Sequence, residues 1–210
     1  MLRKRWLKKM NNNTPLKLVL SLLLFINFTL PLSAAKCESP FADTAASRRH
    51  QQQKAIVFPV PPSDPSRLFY VQRNPNTNTL VYDINIDKST GKPDKDAPIH
   101  PYWIRYNEKG QKEELNYIQR KFAYGLVSKP LGNDKYDIRF VSYKKFPLSL
   151  MKAADGKYRI FATVNQKQII LNNIFIRIEG GSFWLPNVIY VEMKGTDPAT
   201  GKEITERFKP

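Results

Sequence analysis

One cysteine, Cys37, and two histidines, His50 and His100, are all that the 210 residues offer of the side chains most used for metal ligation and nucleophile activation. A lone thiol cannot close an intramolecular disulfide, so any fold must be held by its core. Only His100 falls in the part that reads as folded, which excludes a two-histidine zinc site. A Ser-His-Asp triad would have to be built on that one residue. There is no His-Glu-x-x-His helix, and no Gly-x-Ser-x-Gly elbow to supply a nucleophile. Gly180-Gly181 lacks the Lys-Ser/Thr that a phosphate cradle needs. The loop from Asp87 to Asp96 fails as a calcium loop, because Lys92 and Pro98 stand where glycine and glutamate would be required. No metal, no cofactor and no catalytic residue is therefore expected.

Acidic residues are absent from the first 35 positions, while Arg3, Lys4, Arg5, Lys8, Lys9 and Lys17 are present. An apolar run from Leu18 to Leu32 follows, then Ser33-Ala34-Ala35. Basic, apolar and small-residue regions in that order describe a secretory signal peptide over residues 1–35, cut after Ala35. The run is about 15 residues, short of the roughly 20 that cross a bilayer as a helix. An uncleaved anchor is the rival reading. Lipidation at Cys37 is another, although Lys36 stands where that processing prefers a small residue. The expected location is periplasmic or envelope-associated.

Removing the leader takes six basic and no acidic residues from a formal charge of +16, leaving +10. The remaining cations are scattered, with short pairs such as Arg120-Lys121 and no dense run. Export argues against a nucleic-acid partner, and weak association with an anionic envelope surface is the reading the charge favours. Residues 36–55, rich in Ala, Ser and Gln and containing His50, read as a disordered tether. Residues 56–210 are enough for one domain with a real core.

That domain reads as mainly β. Leu80, Tyr82, Ile84 and Ile86 alternate with polar residues, placing one strand face in a core and one towards water. Similar segments are 67–73, 100–107, 135–143, 148–153, 157–165, 168–179, 188–194 and 203–208. Residues 74–78 read as a hairpin turn, and Asp155-Gly156 as a two-residue type I′ turn. Gly180-Gly181-Ser182 and residues 196–201 separate the last strands. One amphipathic helix is expected over 112–124, with Leu115, Ile118 and Phe122 on its apolar face and Gly125 as its left-handed cap. Strands in hairpin succession imply an antiparallel meander closing into a barrel-like domain, with a β-sandwich as the alternative.

His100, Tyr102, Ile104 and Tyr106 share one face of a strand, with Trp103 and Arg105 on the other. The helix would add Tyr117, Arg120 and Tyr124. Aromatic rings beside guanidinium groups could wall a site for a planar, anionic or sugar-like ligand. The plainer alternative is packing, with Arg105 paired to a carboxylate.

These residues also carry a resemblance. Leu68-Phe69-Tyr70-Val71-Gln72-Arg73, the stretch Asn76 to Tyr82, Tyr102-Trp103-Ile104-Arg105-Tyr106 and Glu113 to Gly125 together resemble a bacterial family, the domain of unknown function numbered 4833. The similarity spans residues 56–210 and is to exported proteins of Gram-negative bacteria. It implies no activity, ligand or catalytic residue.

The expected function is non-enzymatic. An exported domain would bind a small or polymeric ligand, or an envelope protein, through His100, Trp103, Arg105, Tyr106, Tyr117, Arg120 and Tyr124. The alternatives are an enzyme using His100 as its titrating group, or an assembly protein pairing through strand edges.

Overall fold

A computed structural model describes residues 56–182 and 185–210. The leader, the tether and Cys37 lie outside the described residues. Among those described, no helix is long and apolar enough to cross a membrane, and no cluster of His, Cys, Asp or Glu could hold a metal ion.

The domain is mainly β, as expected. Its strands are β1 (Arg67–Arg73), β2 (Thr79–Ile84), β3 (Ile86–Asp87), β4 (Lys92–Pro93), β5 (Ile99–Arg105), β6 (Gln111–Glu114), β7 (Leu126–Gly132), β8 (Lys135–Phe140), β9 (Leu148–Lys152), β10 (Tyr158–Val164), β11 (Lys167–Gly181), β12 (Pro186–Thr196) and β13 (Glu203–Phe208). All but the small β3–β4 hairpin join one sheet. The long strand β11 organises it. Lys167–Ile170 of β11 pairs with β10, and Asn173–Ile176 pairs with β1. One arm therefore runs β1-β2-β5-β6 and the other β10-β9-β8-β7, while β12 and then β13 extend from the opposite edge of β11. Pairing is antiparallel with one exception, the parallel contact of β1 with β11.

The divided sheet curls into a half-barrel, because the apolar faces of both arms must be covered and each supplies the other's cover. Phe69 of β1 stacks on Tyr82 of β2 at 4.4 Å and meets Phe140 of β8 edge-on at 6.2 Å. Ile138, Leu148, Leu150, Ile160, Ile169 and Leu171 complete a fully buried interior.

The two-faced reading of residues 79–87 is corrected. Thr79 to Asp83 are all buried, and the strand breaks at Asn85. On the outer face Val81, Tyr102 and Ile104 form a second cluster with Tyr70 and Tyr106. Residues 58–62 run beside it: Gln72 Nε2 donates to the Pro59 carbonyl at 2.7 Å, and Tyr106 Oη to that of Val60 at 3.4 Å. A central strand with cover on both faces has no solvent side to alternate towards.

The turn at Asp155-Gly156 is corrected too. Gly156 has φ +76°, but Asp155 does not adopt positive φ. Pairs of residues at positive φ instead join β7 to β8 at Asn133-Asp134 and β10 to β11 at Asn165-Gln166. Asparagine tolerates that conformation, so glycine was the wrong residue to look for. Strand β7 was not expected at all. Pro130 argues against a central strand, but β7 lies at the sheet's edge, where a missing donor costs little.

Strand β13 is pinned by charge. Arg207 Nε donates to the buried Glu192 carboxylate at 2.6 Å, and Lys194 Nζ lies 3.2 Å from it. Burial alone would raise the Glu192 pKa, but the two cations outweigh it and hold the carboxyl below the ordinary glutamate range. A lowered value in the folded state means fewer bound protons than in the unfolded chain. This contribution is therefore complete above the ordinary glutamate range and lost progressively as pH falls below it. Glu192→Gln is expected to lower the urea midpoint at pH 7 and to make the acid limb between pH 5 and 3.5 shallower than in the wild type. Parallel acid limbs would remove Glu192 from the account.

Candidate functional site

Strands β1, β2 and β5 present their inward faces to a cavity of about 390 Å³. Further lining comes from β11, the ladder neighbour of β1, and from β12 and the end of β13. Strand periodicity explains who lines it. Phe69, Val71 and Arg73 share one parity of β1, and Asn78, Leu80 and Tyr82 continue one parity through β2. The core-facing row of each strand thus ends in a polar residue, Arg73 or Asn78, and both line the cavity. Trp103, the cross-strand partner of Leu80, stands beside them.

The helical segment closes this wall. Residues 112–114 are not its first turn, as the sequence led us to expect, but part of β6. Glu113 and Glu114 lie opposite Trp103 and Tyr102. Lys112 Nζ lies 4.7 Å from the Tyr102 ring centre. These cross-strand contacts override the local helical preference. The helix shrinks to a short stretch ending in the π-helical turn Gln119–Tyr124. Its expected apolar face is not buried: Leu115 is, but Ile118 and Phe122 are each 57% exposed. Gly125 is no left-handed cap either, with φ −69° and ψ 167°. Glycine is needed there because a Cβ would run into the carbonyl oxygen of Arg120.

Tyr124 is the residue this turn delivers. Its carbonyl accepts the Tyr82 hydroxyl at 2.9 Å, and its ring meets Trp103 edge-on at 5.0 Å. Arg73 lies over the same ring, 5.2 Å from its centre. Tyr124 thus sits between a guanidinium and an indole, all three on the cavity wall. Complete burial, more than its neighbour Tyr124, pushes the Tyr82 phenol well above its ordinary value, so it serves as a fixed donor.

Electrostatically the cavity is one-sided. Arg73 is its only lining residue with a charged side chain, and no Asp or Glu borders it. Among the described residues Arg73 has no carboxylate partner. The buried Trp103 indole N–H has no acceptor. Asn78 is buried, and its Oδ1 accepts the Asn107 N–H at 3.2 Å.

The seven residues singled out from the sequence divide. Trp103 and Tyr124 line the cavity. Arg105 lies over the Trp103 ring at 5.1 Å but spends its charge on Glu113, donating from Nε at 2.8 Å. That hydrogen bond, with the cation behind it, holds the Glu113 carboxyl below its ordinary range. His100 Nε2 lies 2.9 Å from Glu114, which also takes Arg120 at 3.5 Å. Tyr106 is on the outer face with Tyr102. Tyr117 is exposed, its hydroxyl accepting from Lys121 at 2.8 Å.

A family model described as Domain of unknown function (DUF4833) matches residues 69–207. The chain belongs to this family. No curated protein and no solved structure matches it. The DUF4833 match begins at Phe69 in the core of β1 and ends at Arg207 in β13. It therefore takes in Arg73, Asn78, Trp103 and Tyr124.

A second depression of about 350 Å³ lies on the outer face, bordered by Phe58, Tyr70 and Tyr190. Its one carboxylate, Glu192, is shared by two cations, Lys194 and Arg207. The DUF4833 domain thus has one concavity whose cation has no carboxylate partner among the described residues and another whose two cations share one carboxylate. The Asp87 carboxylate, considered above for calcium, is spent. It takes the Ser89 hydroxyl and N–H at 2.7 and 2.8 Å, which lowers its pKa.

Proposed function

We propose that this DUF4833 protein is an exported, envelope-located domain that binds a small molecule in the half-barrel cavity without transforming it. The cavity carries the reading. At about 390 Å³ it falls within the range of ligand pockets, and it has the usual make-up of an apolar lining with few polar groups. The one histidine of the described residues lies elsewhere, exposed and beside Glu114. The leader, basic and apolar and ending in Ser33-Ala34-Ala35, supports export.

Two measurements test this. The full chain, expressed with its own leader, is expected in the periplasmic fraction with Lys36 at its N-terminus. Recovery from the cytosol with Met1 retained would refute export. The purified product is expected to bind the neutral apolar dye Nile red with a blue-shifted, saturable emission. Val191→Trp, which places an indole in the cavity, should weaken that binding at least tenfold while the domain still melts cooperatively. Equal binding by the folded variant would place the site elsewhere.

A further inference from the structure

We infer that the cavity's ligand is a single-chain amphiphile with an anionic head, seated with its head at Arg73. This rests on the binding role just proposed and adds the chemical class. The lining that continues from Arg73 across the sheet is aliphatic: Ile176, its ladder partner, and Ile178 of β11, then Val188, Val191 and Met193 of β12. Such side chains offer dispersion contact but no hydrogen bond, and they suit a flexible hydrocarbon. At about 390 Å³ the cavity lies near the lower end of the ligand-pocket range, which favours one chain over two.

The head-group chemistry follows from what surrounds Arg73. A half-buried guanidinium without a counter-charge is an incomplete arrangement. Arg73 is held over Tyr124 at 5.2 Å, so it is positioned as well as charged. Asn78 adds an amide to the same wall, and no Asp or Glu side chain lines the cavity to repel an anion. A fixed guanidinium with an amide on the same wall suits a carboxylate or a phosphate diester, with bidentate pairing open to the guanidinium. Free fatty acids and lysophospholipids both carry that chemistry.

Competition against Nile red on the mature protein tests the inference. The competitors are laurate, dodecanol and lauroyl lysophosphatidylglycerol, each below its micellar concentration. Laurate or the lysolipid is expected to displace the dye at least about tenfold more effectively than dodecanol, the range for a hydrogen bond to a charged group. Preference for laurate would assign a free carboxylate, and preference for the lysolipid a phosphate head; either supports the inference. In Arg73→Met laurate and dodecanol should compete equally, whereas Arg73→Lys should keep part of the discrimination. If the wild type binds the dye but treats laurate, lysolipid and dodecanol alike, the anion assignment is wrong and the cavity reading stands. If Nile red does not bind at all, both fail.

Discussion

Arg67→Met is expected to destabilise the domain by about 3–5 kcal/mol, because it strands a buried carboxylate. Arg67 Nε donates to Asp83 Oδ1 at 2.7 Å, and the side chains are 14% and 11% exposed. Tyr102 Oη donates to Asp83 Oδ2 at 2.8 Å, and Arg67 Nη2 reaches the Tyr102 hydroxyl at 3.2 Å. The guanidinium also donates to the Pro62 carbonyl at 3.2 Å, tying residues 58–62 to the outer face. Burial works against the charge on Arg67, but the Asp83 carboxylate outweighs it and its pKa rises. Without the arginine, Asp83 keeps one neutral donor in a dry setting. The expected reading is a fall in melting temperature of about 6–20 °C. Proteolysis ahead of β1 should speed up as well. The double variant Arg67→Met/Asp83→Leu should recover much of the loss, since the cost comes from the unpaired charge. A double variant as unstable as the single one would show that packing by the arginine stem, and not its charge, was the larger part.

Phe69→Ala should cost a similar amount, about 3–5 kcal/mol, through a different mechanism. Phe69 is fully buried, stacks on Tyr82 and, together with Tyr82, meets Phe140 of β8 edge-on. Truncation leaves a void beside Tyr82 and Phe140 that no neighbouring side chain is free to fill, as both arms are held by their ladders. Tyr82 would lose its stacking partner, and its hydroxyl positions Tyr124 on the cavity wall. Nile red affinity should therefore drop along with the urea midpoint. Phe69→Leu, which keeps most of the volume, should cost less than about 1.5 kcal/mol. A loss below 1 kcal/mol for Phe69→Ala would mean that the two arms do not depend on each other for cover.

The two variants sit on opposite faces of one sheet, which bears on what the sequence could reveal. Alternation at residues 79–87 was visible, yet its polar members Thr79 and Asp83 proved as buried as Leu80 and Tyr82. Hydropathy shows which residues tolerate burial, not whether a second layer covers the far face. The segment 112–114 misled for a related reason. Glu-Glu ahead of an apolar spacing resembles a helix start, but cross-strand contacts with Arg105, His100 and Tyr102 hold it as an edge strand. Arg73 was legible in principle: it shares parity with Phe69 and Val71, so a charge stands in a core-facing row. A parity argument applied to the whole of β1, and not to the aromatic cluster alone, would have found it.

Composition and local pattern were enough for the β class and the family. Those follow from residue types and nearest neighbours along the chain, which a linear string records completely. Folding was needed to divide β11 between β10 and β1, to expose Ile118 and Phe122, and to separate Trp103 and Tyr124 from His100, Arg105 and Arg120. Each of these depends on contacts between segments tens of residues apart, where the position of one strand is set by the burial and pairing needs of all the others.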